Sequence, residues 1–179
     1  MIDTLDCIEE IRRLAEGPKE NEPVPGVGLV QFVVICNGNS LKVLETVVAV
    51  MTAICLKCSQ GYPDYIDWRT VLPERFVQAC AKEMSPEESE RWLQRWQTLS
   101  DKEREEDERN RTWSVDNWMY WMGPHERAWQ WWDARVVSSE RINVSLAVDS
   151  WPFGWGSVAW LFRGSGASDA VPVAQATGT

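Results

Sequence analysis

The chain has 179 residues, 44% hydrophobic and 25% charged. That is the length of one domain, with enough bulk to bury about 70% of its unfolded surface, and it excludes wholesale disorder, a collagen-like repeat and a small disulfide scaffold. The net charge of −9 repels phosphate backbones and anionic lipid, so nucleic acid and membrane surfaces are not expected as partners; it favours association with a basic protein.

The first predicted element is an amphipathic helix over 3–16, with Leu5, Ile8, Ile11 and Leu14 at near-helical spacing and acids and arginines between them. Gly17-Pro18 ends it, and 17–27 reads as a loop. Gly28–Cys36, GLVQFVVIC, is rich in β-branched residues and is read as a strand. Leu41–Cys58 is read as a buried helix. Leu41, Leu44, Val48, Met51, Cys55 and Cys58 form one stripe and Val43, Val47, Val50 and Ile54 a second. Its β-branched content leaves a two-strand reading open. At Thr46–Leu56 the apolar run is too short to cross a bilayer. Gln60–Asp64 is read as a turn.

Pro73 opens a short helix with Phe76, Val77 and Cys80 inward. Ser85-Pro86-Glu87-Glu88 is a capping box, and the helix it starts carries Trp92, Trp96 and Leu99 on one face. Asp101–Arg111 has no apolar residue and is expected as a solvated helix extension or a frayed linker. Ser114 is placed to cap a helix over VDNWMYWM. After Gly123-Pro124, HERAWQWWDAR is expected as another helix, with Trp129 and Trp132 on one face. Arg141–Asp149 alternates Ile142, Val144, Leu146 and Val148 with small or polar residues and is the best strand signal. SWPFGWG follows as a tight aromatic corner, then a last helix over SVAWLFR. Residues 164–179 are expected as a flexible, small and polar tail, leaving 1–163 as a single globular domain. The predicted class is α+β, mostly α: several short Trp-rich helices packed around a small sheet of few strands.

Tryptophan is the compositional outlier, with 12 copies. Most are expected in the core. A minority, with Trp131, Trp151 and Trp155 as candidates, is expected to form an exposed or ligand-facing patch. Asp149, before the aromatic corner, and Glu105, Glu106 and Asp107, in the charged run, complete the candidate interaction residues. No phosphate-binding glycine pattern and no nucleophile elbow occur. Cys55 and Cys58 form a lone CxxC with no second pair, so neither a metal site nor a cofactor is expected. His125, the one histidine, is read as a surface residue at a helix start, and no catalytic residue is assigned. The five cysteines are an odd number, and Met1–Gly17 has no apolar leader core; reduced thiols and a cytoplasmic setting are expected.

The functional expectation is a non-catalytic soluble protein acting through a protein partner, such as a bacterial immunity or inhibitor protein that occludes a basic surface. Two alternatives stand beside it. One is a small-ligand or carbohydrate-binding protein or enzyme using Trp stacking and carboxylates. The other is a structural subunit of a larger assembly.

Overall fold

The computed structural model describes residues 2–62 and 65–173. Among these, the helices are α1 (Thr4–Glu16), α2 (Ser40–Ser59), α3 (Trp68–Val71), α4 (Glu74–Ala79), α5 (Pro86–Thr98), α6 (Asp101–Asn110), α7 (Val115–Met122) and α8 (Gly156–Gly164). The strands are β1 (Gly28–Ile35), β2 (Trp129–Ser138), β3 (Arg141–Val148) and β4 (Asp169–Pro172). They form one antiparallel sheet in the order β2-β3-β1-β4. The fold is α+β and mostly α.

Alternation decides the central pair. Phe32 opposes Val144 and Val34 opposes Ile142, so one sheet face is continuous apolar surface. That face joins the core with Val47, Val50 and Ile54 of α2 and with Val158, Leu161 and Phe162 of α8. On the other face Gln31 opposes Ser145, whose hydroxyl donates to the Gln31 side chain at 3.0 Å. Leu41–Cys58 is helical, as its two stripes suggested. The stripe of Val43, Val47, Val50 and Ile54 is the one fully buried, while Leu41 is exposed.

Three expectations need correction. First, HERAWQWWDAR is not a helix. His125 and Glu126 lie in a turn and Trp129 begins β2. The sequence VVSSERINV folds back as a hairpin, and cross-strand pairing with β3 outweighs the weak helical spacing of the indoles. Trp129 opposes Val148 and Trp131 opposes Leu146; an irregularity between Trp131 and Asp133 then lets Trp132 leave the alternation.

Second, residues 164–173 are not a tail. Asp169–Pro172 adds to β1, with Ala170 opposite Val34 and fully buried. The strand also contacts α8, and Arg109 of α6 holds Asp169 in an ion pair. The rest of the expected tail, 174–179, and part of the expected turn at Gln60–Asp64 lie outside the described residues.

Third, the cysteines are not all thiols. Cys7 and Cys58 are disulfide-bonded with Cα atoms 6.1 Å apart, whereas Cys36, Cys55 and Cys80 are free. An odd count hides a bridge when two cysteines on facing helices fall within its span.

α1 is rotated from its apolar pattern: Ile11 and Leu14 pack half-buried against the core, but the first half of the stripe does not. Leu5 and Ile8 are exposed, whereas Cys7, Glu10 and Arg13 are buried. The reason lies in β2, an edge strand with unpaired backbone groups. Glu10 accepts the Trp131 backbone N–H, and Arg13 Nε donates to the Trp131 carbonyl at 2.9 Å. Helix α1 thus finishes the sheet edge with side chains. Glu10 is also clasped by both terminal nitrogens of Arg127, each at 2.8 Å, and accepts from the Cys55 thiol at 3.3 Å. Burial and the neighbouring Glu10 carboxylate push the Cys55 thiol well above its ordinary value. Burial works against the Arg127 charge, but Glu10 more than compensates and holds its pKa up. Outside the core, Glu22 ties the loop to Arg12 and Arg13. Burial alone would raise its pKa; the Lys19 N–H and the two guanidiniums overcome that and hold it at about 2.

Removing one member of a buried ion pair strands the other charge. Arg127→Met should therefore cost about 3–5 kcal/mol of stability in denaturant titration. The charge-free pair Glu10→Gln with Arg127→Met keeps an acceptor for Trp131 and should recover most of that loss; a single variant within ~0.5 kcal/mol of the parent would contradict the assignment. Alkylation of the unfolded, unreduced chain should label three cysteines, rising to all five after reduction. Five labels without reductant would refute the bridge.

Candidate functional site

The helical hairpin α5–α6 is built from two capping boxes. Ser85 and Glu88 cap α5, and Ser100 and Glu103 cap α6, each with reciprocal side-chain bonds. Leu99 ends one helix and Ser100 starts the next, so the charged run is an independent helix rather than an extension or a frayed linker. Arg95 pairs with Asp107 at 3.3 Å, and Arg104 donates to the Trp96 carbonyl at 3.3 Å. Neither helix has a buried residue.

The hairpin is fastened to the body by arginine. Arg163 of α8 donates to the carbonyls of Arg109, Asn110 and Arg111 at 2.6, 3.0 and 3.2 Å, where the end of α6 leaves carbonyls unpaired. The Arg109 hydrogen bond to Asp169, reinforced by its charge, holds that carboxyl below its usual range. Arg111 lies between two indoles, 4.3 Å from the Trp92 ring centroid and 4.2 Å from that of Trp113. Burial lowers the Arg111 pKa, opposed by Asp107 and Glu108; an arginine stays charged regardless.

Under the hairpin runs a groove of about 350 Å³ lined by Trp92, Leu93, Trp96, Glu108, Arg111, Trp113, Trp121, Gly154, Gly156 and Ser157. Trp92 and Trp96 stack at 5.2 Å. Trp113 is buried, Trp92 and Trp96 are half-buried, and Trp121 is 44% exposed, so the groove grades from core to solvent. Gly156 keeps its floor low: a Cβ there would stand 3.4 Å from Glu108 and Trp113. Glu108 has no ion pair within 4 Å among the described residues. Its carboxyl is raised above the ordinary 4.5, chiefly by burial, with Arg111 pulling it down and Asp107 and Glu105 pushing it up. The aromatic corner reaches this groove through Gly154 and turns at a cis Trp151-Pro152 bond.

The residues singled out in the sequence are dispersed over several surfaces. Trp131 is 2% exposed and stacks on Phe162. It is a core residue, because strand geometry turns it toward β3's apolar face, and it cannot face a ligand. Trp151 is 40% exposed, and Asp149 is exposed at the end of β3. Trp155, Glu105 and Glu106 do converge: with Lys102, Arg109, Val171 and Pro172 they line a shallow cleft of about 340 Å³. Trp155 is half-buried there, its ring edge-on to Phe32 at 6.4 Å. Asp107 lies on another side of α6, engaged by Arg95. The sequence reading missed Trp92, Trp96, Trp113, Trp121, Glu108 and Arg111 as one constellation. A signal was present in Arg91-Trp92, Arg95-Trp96 and Arg111-Thr112-Trp113, where arginine and tryptophan recur together.

No group of three or more His, Cys, Asp or Glu side chains suited to a metal ion occurs among the described residues. Likewise, no helix among them is long and apolar enough to cross a membrane. Comparison with protein-family models, curated proteins and solved structures finds no match to this chain.

The Arg111 stack should control the hairpin without controlling the core. Arg111→Ala should speed backbone hydrogen exchange and limited proteolysis across 86–110 while leaving β1 and β3 amides as protected as before. Equal loosening of hairpin and sheet, or of neither, would contradict this role.

Proposed function

We propose that this protein works by binding another protein, and that the groove beneath the α5–α6 hairpin receives a basic segment of that partner. The observation that carries the reading is Glu108, a half-buried carboxylate with no ion pair within 4 Å among the described residues, in a groove walled by indoles and by an Arg111 whose faces those indoles pack against. A Lys or Arg side chain fits both parts: its apolar stem lies along the indoles, its cationic head is drawn to ring faces, and it ends at the carboxylate. The surrounding charge agrees. Residues 85–110 hold nine acids against five bases, and the chain's net charge of −9 steers a basic surface inward.

Occupying a basic segment blocks whatever that segment contacts. An inhibitor or immunity-type protein that covers a basic cleft is therefore the form of activity proposed. The consequence is steric occlusion, with no bond made or broken. The cytoplasmic setting expected from the sequence fits only a chain whose Cys7–Cys58 bridge is reduced, because such bridges persist in oxidising compartments.

The test uses the full chain labelled for NMR, titrated with a Lys/Arg-rich peptide, an acidic peptide of equal length and a neutral oligosaccharide. The indole N–H signals of Trp92, Trp96 and Trp121 should move with the basic peptide alone. Added salt should weaken the binding, and Glu108→Gln should weaken it about three- to tenfold. Affinity should also fall as pH is lowered toward the Glu108 value, which lies above 4.5, because protonation removes the charge that the cation meets. Glu108→Gln should abolish that pH dependence. Shifts with the oligosaccharide alone would replace this reading with sugar binding, and shifts with the acidic peptide would overturn it.

A further inference from the structure

The stacked pair of Trp92 and Arg111 is a wall shared by two concavities. On one side is the groove just described. The other is a separate cleft of about 300 Å³, bounded also by Lys82, Asp107, Asn110, Thr112 and Ser114. Its chemistry has the opposite sign.

The faces of the Arg111 guanidinium are packed against the Trp92 and Trp113 rings, which leaves its N–H edge as the part suited to a hydrogen-bond partner. Among the described residues, no hydrogen bond or ion pair engages that edge. A guanidinium held in this way has N–H donors directed in its own plane, the geometry that matches two oxygens of a carboxylate or phosphate. Lys82 adds a second cation, exposed and without an ion pair among the described residues. Ser114 is the residue preceding α7, yet its side chain makes no capping bond although the residue is 6% exposed. A hydroxyl that neither caps its helix nor bonds elsewhere is available to a ligand. Thr112 brings another hydroxyl to the same cleft.

Asp107 and Glu108 act on the Arg111 charge, but Glu108 faces the groove rather than this cleft and the other acids nearby are paired with arginines. Asp107 is engaged by Arg95 at 3.3 Å. Glu83, next to Lys82 in sequence, is engaged by Arg69 at 2.6 Å and accepts the Asp116 N–H at 3.0 Å. Asp116 itself is paired with Arg69. Unspent donors therefore gather at one place on a chain that is otherwise strongly acidic.

We propose that this cleft binds an oxyanion, the carboxylate or phosphate head of a small molecule. Arg111 supplies a two-pronged in-plane contact, Lys82 the second charge, and Ser114 and Thr112 neutral donors. The Trp92 ring, which borders the cleft, offers a flat apolar surface to the body of such a molecule. The inference stands apart from the basic-segment reading: it uses the other side of the Trp92–Arg111 wall and does not involve Glu108.

Calorimetric titration of the full chain at low salt, with inorganic phosphate in one arm and benzoate in the other, tests it. A chloride arm of matched ionic strength is the control. Saturable binding in the millimolar range is expected, accompanied by movement of the Trp92 indole N–H. Binding of phosphate alone identifies a phosphate head, binding of benzoate alone a carboxylate, and binding of both the shared chemistry. Lys82→Ala, at an exposed position, should weaken binding about threefold or more. Arg111→Lys keeps the charge and loses the fork, and should weaken it further. Ser114→Ala, which leaves the indole stack in place, should weaken it too. Absence of binding in both anion arms, or binding indifferent to Lys82→Ala and Ser114→Ala, would overturn the proposal.

Discussion

The carboxylate of Glu10 is the point on which the architecture turns. It is fully buried and gathers Arg127, the Trp131 backbone N–H and the Cys55 thiol. Each group would be costly to bury alone: a guanidinium, an unpaired strand amide and a carboxylate all lose hydration. Together they satisfy one another except at the Arg127 Nε, which is buried without a hydrogen-bond partner among the described residues, and Arg13 completes the arrangement by bonding the Trp131 carbonyl. An amphipathic helix that hid Leu5 and Ile8 instead would leave the β2 edge open. The Cys7–Cys58 bridge lies one helical turn before Glu10 and joins α1 to α2, so the carboxylate is delivered by a covalently tethered helix.

That anchor reaches toward the candidate site through the chain. Arg127 closes the turn after α7, its N–H bonding the Gly123 carbonyl at 3.0 Å. α7 carries Trp118, whose indole N–H donates to the Ser157 carbonyl at 2.9 Å, and Trp121, which lines the groove. Arginine is the recurrent fastening of the molecule. Arg13 lies over Trp132, Arg127 over Trp129, Arg163 over Trp160 and Arg111 between Trp92 and Trp113. Indoles provide area for packing and a negative face for a cation, and four of the seven buried ones, Trp113, Trp129, Trp132 and Trp160, carry an arginine in this way. The hairpin is different: it is held by side chains and ion pairs, without a buried residue of its own.

Local signals were legible where local physics decides. The capping box at Ser85, the alternation at Ile142–Val148 and the doubly apolar helix at Leu41–Cys58 each specify an element from its own residues. The reading failed where a distant partner decides. Trp129–Ser138 is a strand because β3 lies beside it, and Asp169–Pro172 because β1 offers an edge. Glu10 and Arg13 looked like the solvated side of an ordinary helix, since nothing nearby in sequence reveals an edge strand that needs them. The candidate site was half-legible for the same reason. Trp155, Glu105 and Glu106 do share a cleft, while Trp131 is claimed by the core. The groove of Trp92, Trp113, Trp121 and Glu108 is assembled from separate elements that only the tertiary fold brings together.

Helix α1 closes the sheet edge through Glu10 at Trp131, and the rest of the architecture depends on that contact. Hydrogen exchange of the Trp131 amide, followed by NMR in the unmodified protein, addresses it most directly. This amide, although on an edge strand, should exchange as slowly as the interior amides of β3. Exchange at the rate of a solvent-facing edge amide would show that the carboxylate does not hold it and that α1 does not close the edge.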